Sequence, residues 1–156
     1  MTDGPSPLAP RTLRAQGLAN RLVRGLLRTP VVSRGIGRRL ITLYVVGRKS
    51  GRTYVLPVAY LADGDDLLVG TSFAWARNLR TGEPVAVRLR GRLRWADVEV
   101  LTAEPDVVAA YARMAGQNPA FARFNRLHVG PAGRTDVDEL HAAWLGGARV
   151  IRLTPR

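Results

Sequence analysis

Leu40-Ile41-Thr42-Leu43-Tyr44-Val45-Val46-Gly47-Arg48-Lys49-Ser50-Gly51-Arg52-Thr53-Tyr54-Val55-Leu56-Pro57-Val58-Ala59-Tyr60-Leu61 is the stretch that decides the fold. Two runs rich in β-branched and aromatic residues, Leu40–Val46 and Thr53–Leu61, flank the polar loop 47–52 with its two glycines. That pattern predicts two strands joined as a hairpin. Downstream, Asp63-Gly64-Asp65 predicts a turn and Leu67–Thr71 a further strand. Pro84–Arg90 and Arg92–Leu101 read as two more strands joined tightly at Gly91. In the second of these the apolar parity flips between Leu93/Trp95 and Val98/Val100, which predicts a β-bulge near Ala96-Asp97.

Helical signals follow the strands. Thr102 is placed to cap a helix over Pro105–Met114 that stops at Gly116. Asn118-Pro119 opens a short helix with proline at its favoured first position. Thr135 with Asp138 predicts the cap of a third helix, ending at Gly146-Gly147, and Ala148–Thr154 closes the chain as a strand. Hairpin-linked strands, then helices, then a returning strand describe an α+β fold built on a small antiparallel barrel or curled sheet.

Upstream of Leu40 the character changes, so residues 1–39 are expected to form a basic N-terminal segment and residues 40–156 the folded domain. Gly4, Pro5, Pro7 and Pro10 make residues 1–10 a disordered lead-in by composition. Residues 1–40 carry eight arginines against one acid, Asp3. Arg14, Arg21, Arg24 and Arg28 fall within one arc of about 80° on a helical wheel, with leucines, alanines and Val23 opposite. Residues 11–28 are therefore expected to form a basic amphipathic helix, closed by Thr29-Pro30. Such a helix either packs on the domain with its arginines solvated or docks on an anionic membrane surface.

The 156 residues allow one domain with a substantial core, and 24 Lys+Arg against 12 Asp+Glu give a net charge of +12. All but one of those cations are arginine. This surface calls for anionic partners: a phosphorylated or polycarboxylate ligand, a lipid surface or nucleic acid. With no cysteine there is no disulfide, thiolate nucleophile or thiolate-bound metal. His128 and His141 have no partners at metal-ligand spacing. There is no apolar run of the length a membrane span needs and no signal-peptide pattern, so a cytoplasmic protein is expected. Ser33, Ser50 and Ser72 lack a nucleophile elbow, and neither the dinucleotide fingerprint nor the Walker loop occurs.

What remains is a ligand-binding site. Gly47-Arg48-Lys49-Ser50-Gly51-Arg52 concentrates three cations, a hydroxyl and glycine-flanked amides, the donors a phosphate needs. The same composition also serves a solvated hairpin end. Trp75-Ala76-Arg77-Asn78 places an indole and a carboxamide one helical turn apart, able to hold a flat heterocycle or to fill a core corner. Arg88, Arg90, Arg92 and Arg94 alternate along a hairpin, either solvated or facing a polyanion. Trp95 is the one aromatic among them, a poor platform for stacking nucleic-acid bases.

Leu43–Gly51, Pro57, Asp63-Gly64-Asp65 and Trp75-x-x-Asn78-Leu79, in that order, resemble the deazaflavin-dependent nitroreductase and quinone reductase family of actinobacteria. The resemblance covers roughly residues 40–153. It implies a split β-barrel of about six mostly antiparallel strands with flanking helices, like that of flavin mononucleotide-binding oxidases. It also implies an oxidoreductase that passes a hydride from the reduced 8-hydroxy-5-deazaflavin coenzyme (coenzyme F-420) to a quinone, an enone or a nitro compound. Carried onto this chain, Arg48, Lys49, Ser50 and Gly51 would grip the coenzyme phosphate. Tyr54, Val55, Leu56, Pro57, Val58 and Ala59 would pass along the ring, and Gly70, Thr71, Ser72 and Phe73 would line it from the next strand. Trp75, Ala76, Arg77 and Asn78 would complete the wall, with Phe121 reaching both coenzyme and acceptor and Phe124 the acceptor alone. Ser72, also facing the acceptor, or a water would complete proton delivery. The coenzyme's glutamate tail offers the arginines a partner, and basic N-terminal helices that favour membranes occur in this family.

This chain departs from the family pattern at three places. Ala76-Arg77 stands where many members carry an aromatic or His pair. Tyr54 replaces a cation, for which Arg52 is a substitute. Phe121 and Phe124 stand for tyrosines, which removes hydroxyls able to orient a nitro group. The residues alone also admit a barrel that binds flavin mononucleotide or haem, or a non-catalytic basic module for membrane or nucleic acid. Self-association is compatible with all three.

Overall fold

A computed structural model describes residues 39–156; the expected helix over 11–28 and the segment boundary at residue 39 lie outside that span or at its margin. Seven antiparallel strands form one sheet in the order β2-β1-β5-β6-β7-β4-β3. They are β1 (Leu40–Val46), β2 (Thr53–Ala59), β3 (Leu61–Asp63), β4 (Asp66–Thr71), β5 (Val85–Leu89), β6 (Arg92–Leu101) and β7 (Arg149–Pro155). Three helices follow β6: α1 (Glu104–Gln117), α2 (Pro119–Phe124) and α3 (Val137–Leu145). A 3-10 turn spans Ala74–Asn78.

The sheet has to curl. Laid flat, seven strands would hold their edges about 29 Å apart. Yet the two edge strands, β2 and β3, are joined by the single residue Tyr60, and the two steps from Ala59 to Leu61 reach about 7 Å at most. Tyr60 is buried, and its N–H donates to the Arg39 carbonyl at 3.0 Å. The expected single strand Thr53–Leu61 is therefore two strands hinged at Tyr60, and seven strands stand where about six were expected. Pro57 tolerates its place in β2 because an edge strand leaves half its backbone groups outside the ladder.

Ile41, Leu43, Val45, Leu56, Val69, Val87, Val98, Ile151 and Leu153 fill the interior of the curl. A second core lies outside it, where Leu68 and Val150 meet Val107, Tyr111 and Met114 of α1 and Leu140 of α3. Strand β4 is thus buried on both faces over Leu67-Leu68-Val69, a continuous apolar run, and β7 over Val150-Ile151, whereas β1, with one face uncovered, alternates.

The bulge expected at Ala96-Asp97 is absent from the ladder. Pairing runs without a slip from Leu89↔Arg92 to Val85↔Ala96 on one side, and from Ala96↔Pro155 to Leu101↔Val150 on the other. The parity flip has another cause: Ala96 and Val98 point into the barrel, while Leu93 and Trp95 lie on its outer surface and are exposed. Two caps also move. Ala103, without a side-chain bond, precedes α1 in place of Thr102, and Asp136 rather than Thr135 caps α3, accepting from the N–H groups of Asp138 and Glu139. Asn118 caps α2 as its position before proline implied, accepting from Ala120 and Phe121 N–H.

Candidate functional site

The loop 47–52 is closed from within. Gly47 N–H donates to the Arg52 carbonyl at 2.7 Å, and Gly51 N–H to the Gly47 carbonyl at 2.8 Å. Gly47 is required by close approach: a Cβ there would sit 2.7 Å from Ser50 Oγ and 2.9 Å from Tyr54 Cε2. Gly51 is required by its φ of +67°. Ser50 Oγ accepts from Arg52 N–H at 3.2 Å. Among the described residues the N–H groups of Lys49 and Ser50 have no partner, and Lys49 and Arg52 form no ion pair. The exposed tip therefore offers amides and cations together, a donor set suited to an anion.

A long-range bond fastens this loop to the 3-10 turn. Arg48 N–H donates to Asn78 Oδ1 at 3.0 Å, and Asn78 Nδ2 donates back to the Trp75 carbonyl at 3.0 Å. Asn78 thus fastens the loop to the turn through both ends of its amide. Trp75 is 6% exposed and Ala76 fully buried, both within the barrel core. The stacking face expected of Trp75 is consequently covered by packing, though its Nε1 is buried without a partner among the described residues. Arg77 is exposed on the same turn. The sequence reading missed Glu83, whose Oε2 holds the Arg48 guanidinium at 2.9 Å. No local pattern announces that pair, because 35 residues separate its members.

The ring-lining candidates lie along one seam. Strand β3 pairs with β4 only from Leu61↔Leu68 to Asp63↔Asp66. Val69, Gly70 and Thr71 are therefore paired with β7 alone, and their other edge is open. Because β2 and β3 share the Tyr60 joint, this open edge faces the unpaired edge of β2, Thr53–Ala59. The result is a wedge, narrow at Tyr60 and widening toward the loop 47–52. All of β2 except Leu56 is half-buried there.

Helix α2 seals the outer side of that seam. Gly70 is close-packed: a Cβ would lie 3.0 Å from Phe121 Cε2 and Cζ and from Tyr111 Cε2. Phe121 meets Tyr111 edge-on at 5.1 Å, and Phe73 meets Phe124 at 5.9 Å, with both of the latter exposed. Thr71 Oγ1 accepts from Phe73 N–H and fixes the bend at Ser72, which is exposed. Tyr111 Oη is buried without a partner among the described residues, and burial pushes its phenol well above the ordinary tyrosine range.

Both histidines serve α3 instead of the seam. His128 Nδ1 meets Glu139, and His141 Nδ1 meets Glu104. The Glu139 carboxylate beside His128 raises the imidazole pKa, and hydrogen bonding from His128 lowers that of Glu139. Among the described residues no cluster of three metal-ligating side chains occurs.

The fold is an antiparallel sheet curled into a split barrel with flanking helices. The profile of the F420H(2)-dependent quinone reductase family matches residues 21–126, and the chain belongs to that family. It is accordingly an oxidoreductase that uses the reduced deazaflavin coenzyme and a small-molecule acceptor. Solved structures with a similar fold include an F420 reductase at 17% identity, covering 85% of this chain and 92% of the other, TM-score 0.46. A domain-swapped dimer is similar at 13% identity, covering 90% and 96%, TM-score 0.48. A 5-nitroimidazole antibiotic resistance protein of Bacteroides thetaiotaomicron is similar at 9% identity, covering 85% and 78%, TM-score 0.45. No curated protein matches the chain. The residues present fit the coenzyme: uncommitted cations and amides at the loop suit its phosphate, and the apolar seam suits a planar ring.

Proposed function

We propose that the wedge between β2 and β4 seats the deazaflavin ring, that loop 47–52 holds its phosphate, and that a quinone or conjugated carbonyl is the acceptor. The observation that carries the reading is the Arg48–Asn78 bond, which fastens the anion loop to the turn leading out of the seam. Bound there, the reduced coenzyme supplies a hydride. Lys49, Arg52 and the amides of Lys49 and Ser50 bind the anion, while Glu83 and Asn78 keep Arg48 and its backbone in place. Outward backbone groups of Val55, Pro57 (its carbonyl alone) and Ala59 orient the ring edge, the side chains of Tyr54 and Val58 flank it from the barrel side, and Leu56 anchors the strand from the core. Gly70, having no side chain, lets Phe121 close against the strand.

Phe73, Phe121 and Phe124 form an apolar acceptor wall that excludes water and hydrogen-bonds to nothing. Such a wall favours a planar, weakly polar acceptor over a nitro group that needs orienting donors. Each hydride accepted must be matched by one proton, and Ser72, exposed between Thr71 and Phe73, holds a hydroxyl at the acceptor side. We also infer a cytoplasmic setting with peripheral contact to an anionic membrane through residues 11–28. Among the described residues no helix is long and apolar enough to cross a membrane.

Titration of the coenzyme by fluorescence, with flavin mononucleotide in parallel, tests the reading. Selective deazaflavin binding is expected, together with a slower quinone reduction in Ser72→Ala at unchanged coenzyme affinity. Preference for flavin mononucleotide overturns the seat, and an unchanged Ser72→Ala rate overturns the proton role.

A further inference from the structure

Helices α1 and α3 pack side by side outside β4 and β7. His141 of α3 meets Glu104 at the start of α1, and Trp144 Nε1 donates to the Thr102 carbonyl just before it. At the other end Gly116 of α1 abuts the Gly133 carbonyl, a little ahead of the α3 cap Asp136. The two helices therefore run antiparallel. Leu140 turns into the core, and the opposite face of α3 is bare. Val137, His141 and Leu145 follow one another there at helical spacing. Val137 is 70% exposed and Leu145 67%, more than any other large apolar side chain among the described residues. Asp138 and Ala142 lie beside them, also exposed.

Charge sets these helices apart within a strongly basic chain. Residues 96–112 and 135–148 hold seven of the twelve acids and none of the 24 cations. Four of the seven are matched: Asp97 by Arg156, Glu99 by Arg152, Glu104 by His141 and Glu139 by His128. Asp106, Asp136 and Asp138 form no ion pair among the described residues. An apolar strip with Asp138 within it and Asp136 at its end calls for an occupant that is apolar and basic at once.

The chain itself supplies one. Residues 11–28 read as a helix whose apolar arc runs from Leu18 round to Leu27, with Arg14 and Arg24 at its two margins. Such a helix is about 27 Å long, against about 21 Å for α1. The described chain also begins beside this layer. The Arg39 carbonyl accepts from Tyr60 N–H, and the next residue, Leu61, packs in one cluster with Leu140 of α3. Residues 29–38 can extend about 33 Å, well beyond the width of a helix.

We propose that residues 11–28 dock as a helix on the exposed face of α3, leucines against Val137 and Leu145 and a marginal arginine against Asp138. This rests on those residues forming the amphipathic helix read from the sequence. It goes beyond the membrane reading, because one apolar arc cannot lie on the domain and in a lipid surface at once. The α3 face is then the resting place from which an anionic bilayer draws the segment.

Amide hydrogen exchange on the whole chain tests this. A lone helix of that length is marginal in water, so slow exchange over residues 11–28 reports docking. Val137→Asn with Leu145→Gln removes the apolar contacts at two exposed positions, and Asp138→Asn removes the charge at constant size. The first variant should speed exchange over residues 11–28 on the order of tenfold, and the second by a smaller factor. Both should raise partition into vesicles of phosphatidylglycerol mixed with phosphatidylcholine, since the released segment is free to bind them. Fast exchange in the native chain, or protection that neither variant alters, overturns the docking. If the native segment exchanges fast yet the vesicles bind it, the docking falls and the membrane reading stands. If it is protected through α3 and no vesicle binds, the docking stands and the membrane reading falls. Protection that fades on dilution makes a second copy the occupant and overturns docking within one chain.

Discussion

The N–H of Arg48 and the side-chain oxygen of Asn78 meet at 3.0 Å across thirty residues of chain, and that one bond sets where the anion loop stands. Its donor lies between two strands and its acceptor at the end of a 3-10 turn packed into the barrel. Removing the carboxamide therefore releases the loop without touching its cations. Asn78→Ala is expected to cost about 1 kcal/mol of stability. Coenzyme affinity should fall by roughly tenfold through loss of preorganisation. Urea unfolding and coenzyme titration read the two effects separately.

Lys49 and Arg48 should not be equivalent. The Arg48 guanidinium is already held by Glu83, whereas Lys49 has no ion-pair partner among the described residues. Lys49→Ala should weaken coenzyme binding by about 1.5–3 kcal/mol, the usual range for a charge-assisted bond, and Arg48→Ala by less. Equal losses in a fluorescence titration would show that Glu83 gives up Arg48 when ligand binds.

Gly70→Ala adds a methyl group where Phe121 and Tyr111 already stand at contact. The surrounding rings belong to a packed core, so the expected cost is about 1–3 kcal/mol. Because Phe121 must shift, the KM for a quinone should rise while coenzyme affinity changes less. Thermal unfolding and steady-state kinetics check both statements.

The His128–Glu139 contact makes a pH signature. Hydrogen bonding to Glu139 raises the His128 pKa above 6.5, so its contribution is full below that pH and is lost as pH rises through the folded value. The Glu139 pKa lies below 4.5, so its share is present above that pH and is lost as pH falls through the folded value. Thermal stability should accordingly be favoured between about pH 4.5 and 6.5, and His128→Ala should flatten the loss above that window. His128 is solvent-exposed and Glu139 partly so, and added salt should shrink the effect as well. Melting curves across pH at two ionic strengths measure it.

Local chemistry was legible in the sequence where it acts over a few residues. The loop 47–52 is one case, since glycines at its corners and strands on either side dictate a hairpin. Asn118-Pro119 is another. Features that depend on closure were not legible. Tyr60 breaks a run that reads as one strand because the barrel turns there, and nothing adjacent to it says so. Leu93 and Trp95 mimic a bulge because the alternation rule assumes that exposed positions are polar, and on this sheet face they are not. Trp75 reads equally as a ring-holding indole or a core corner, and only the closed barrel shows that it is buried. The partners of Arg48, namely Glu83 and Asn78, are brought to it only by the sheet.

A seam that stays unpaired so that a ligand can lie along it is also the molecule's most adhesive line. Backbone groups on the open edges of Thr53–Ala59 and Val69–Thr71 would accept a strand from another chain as readily as a coenzyme. With the coenzyme seated as proposed, solubility and occupancy are linked: the ligand that equips the protein for chemistry also covers the edge along which copies would add to one another. Starved of coenzyme, the same chain carries its own route to self-assembly.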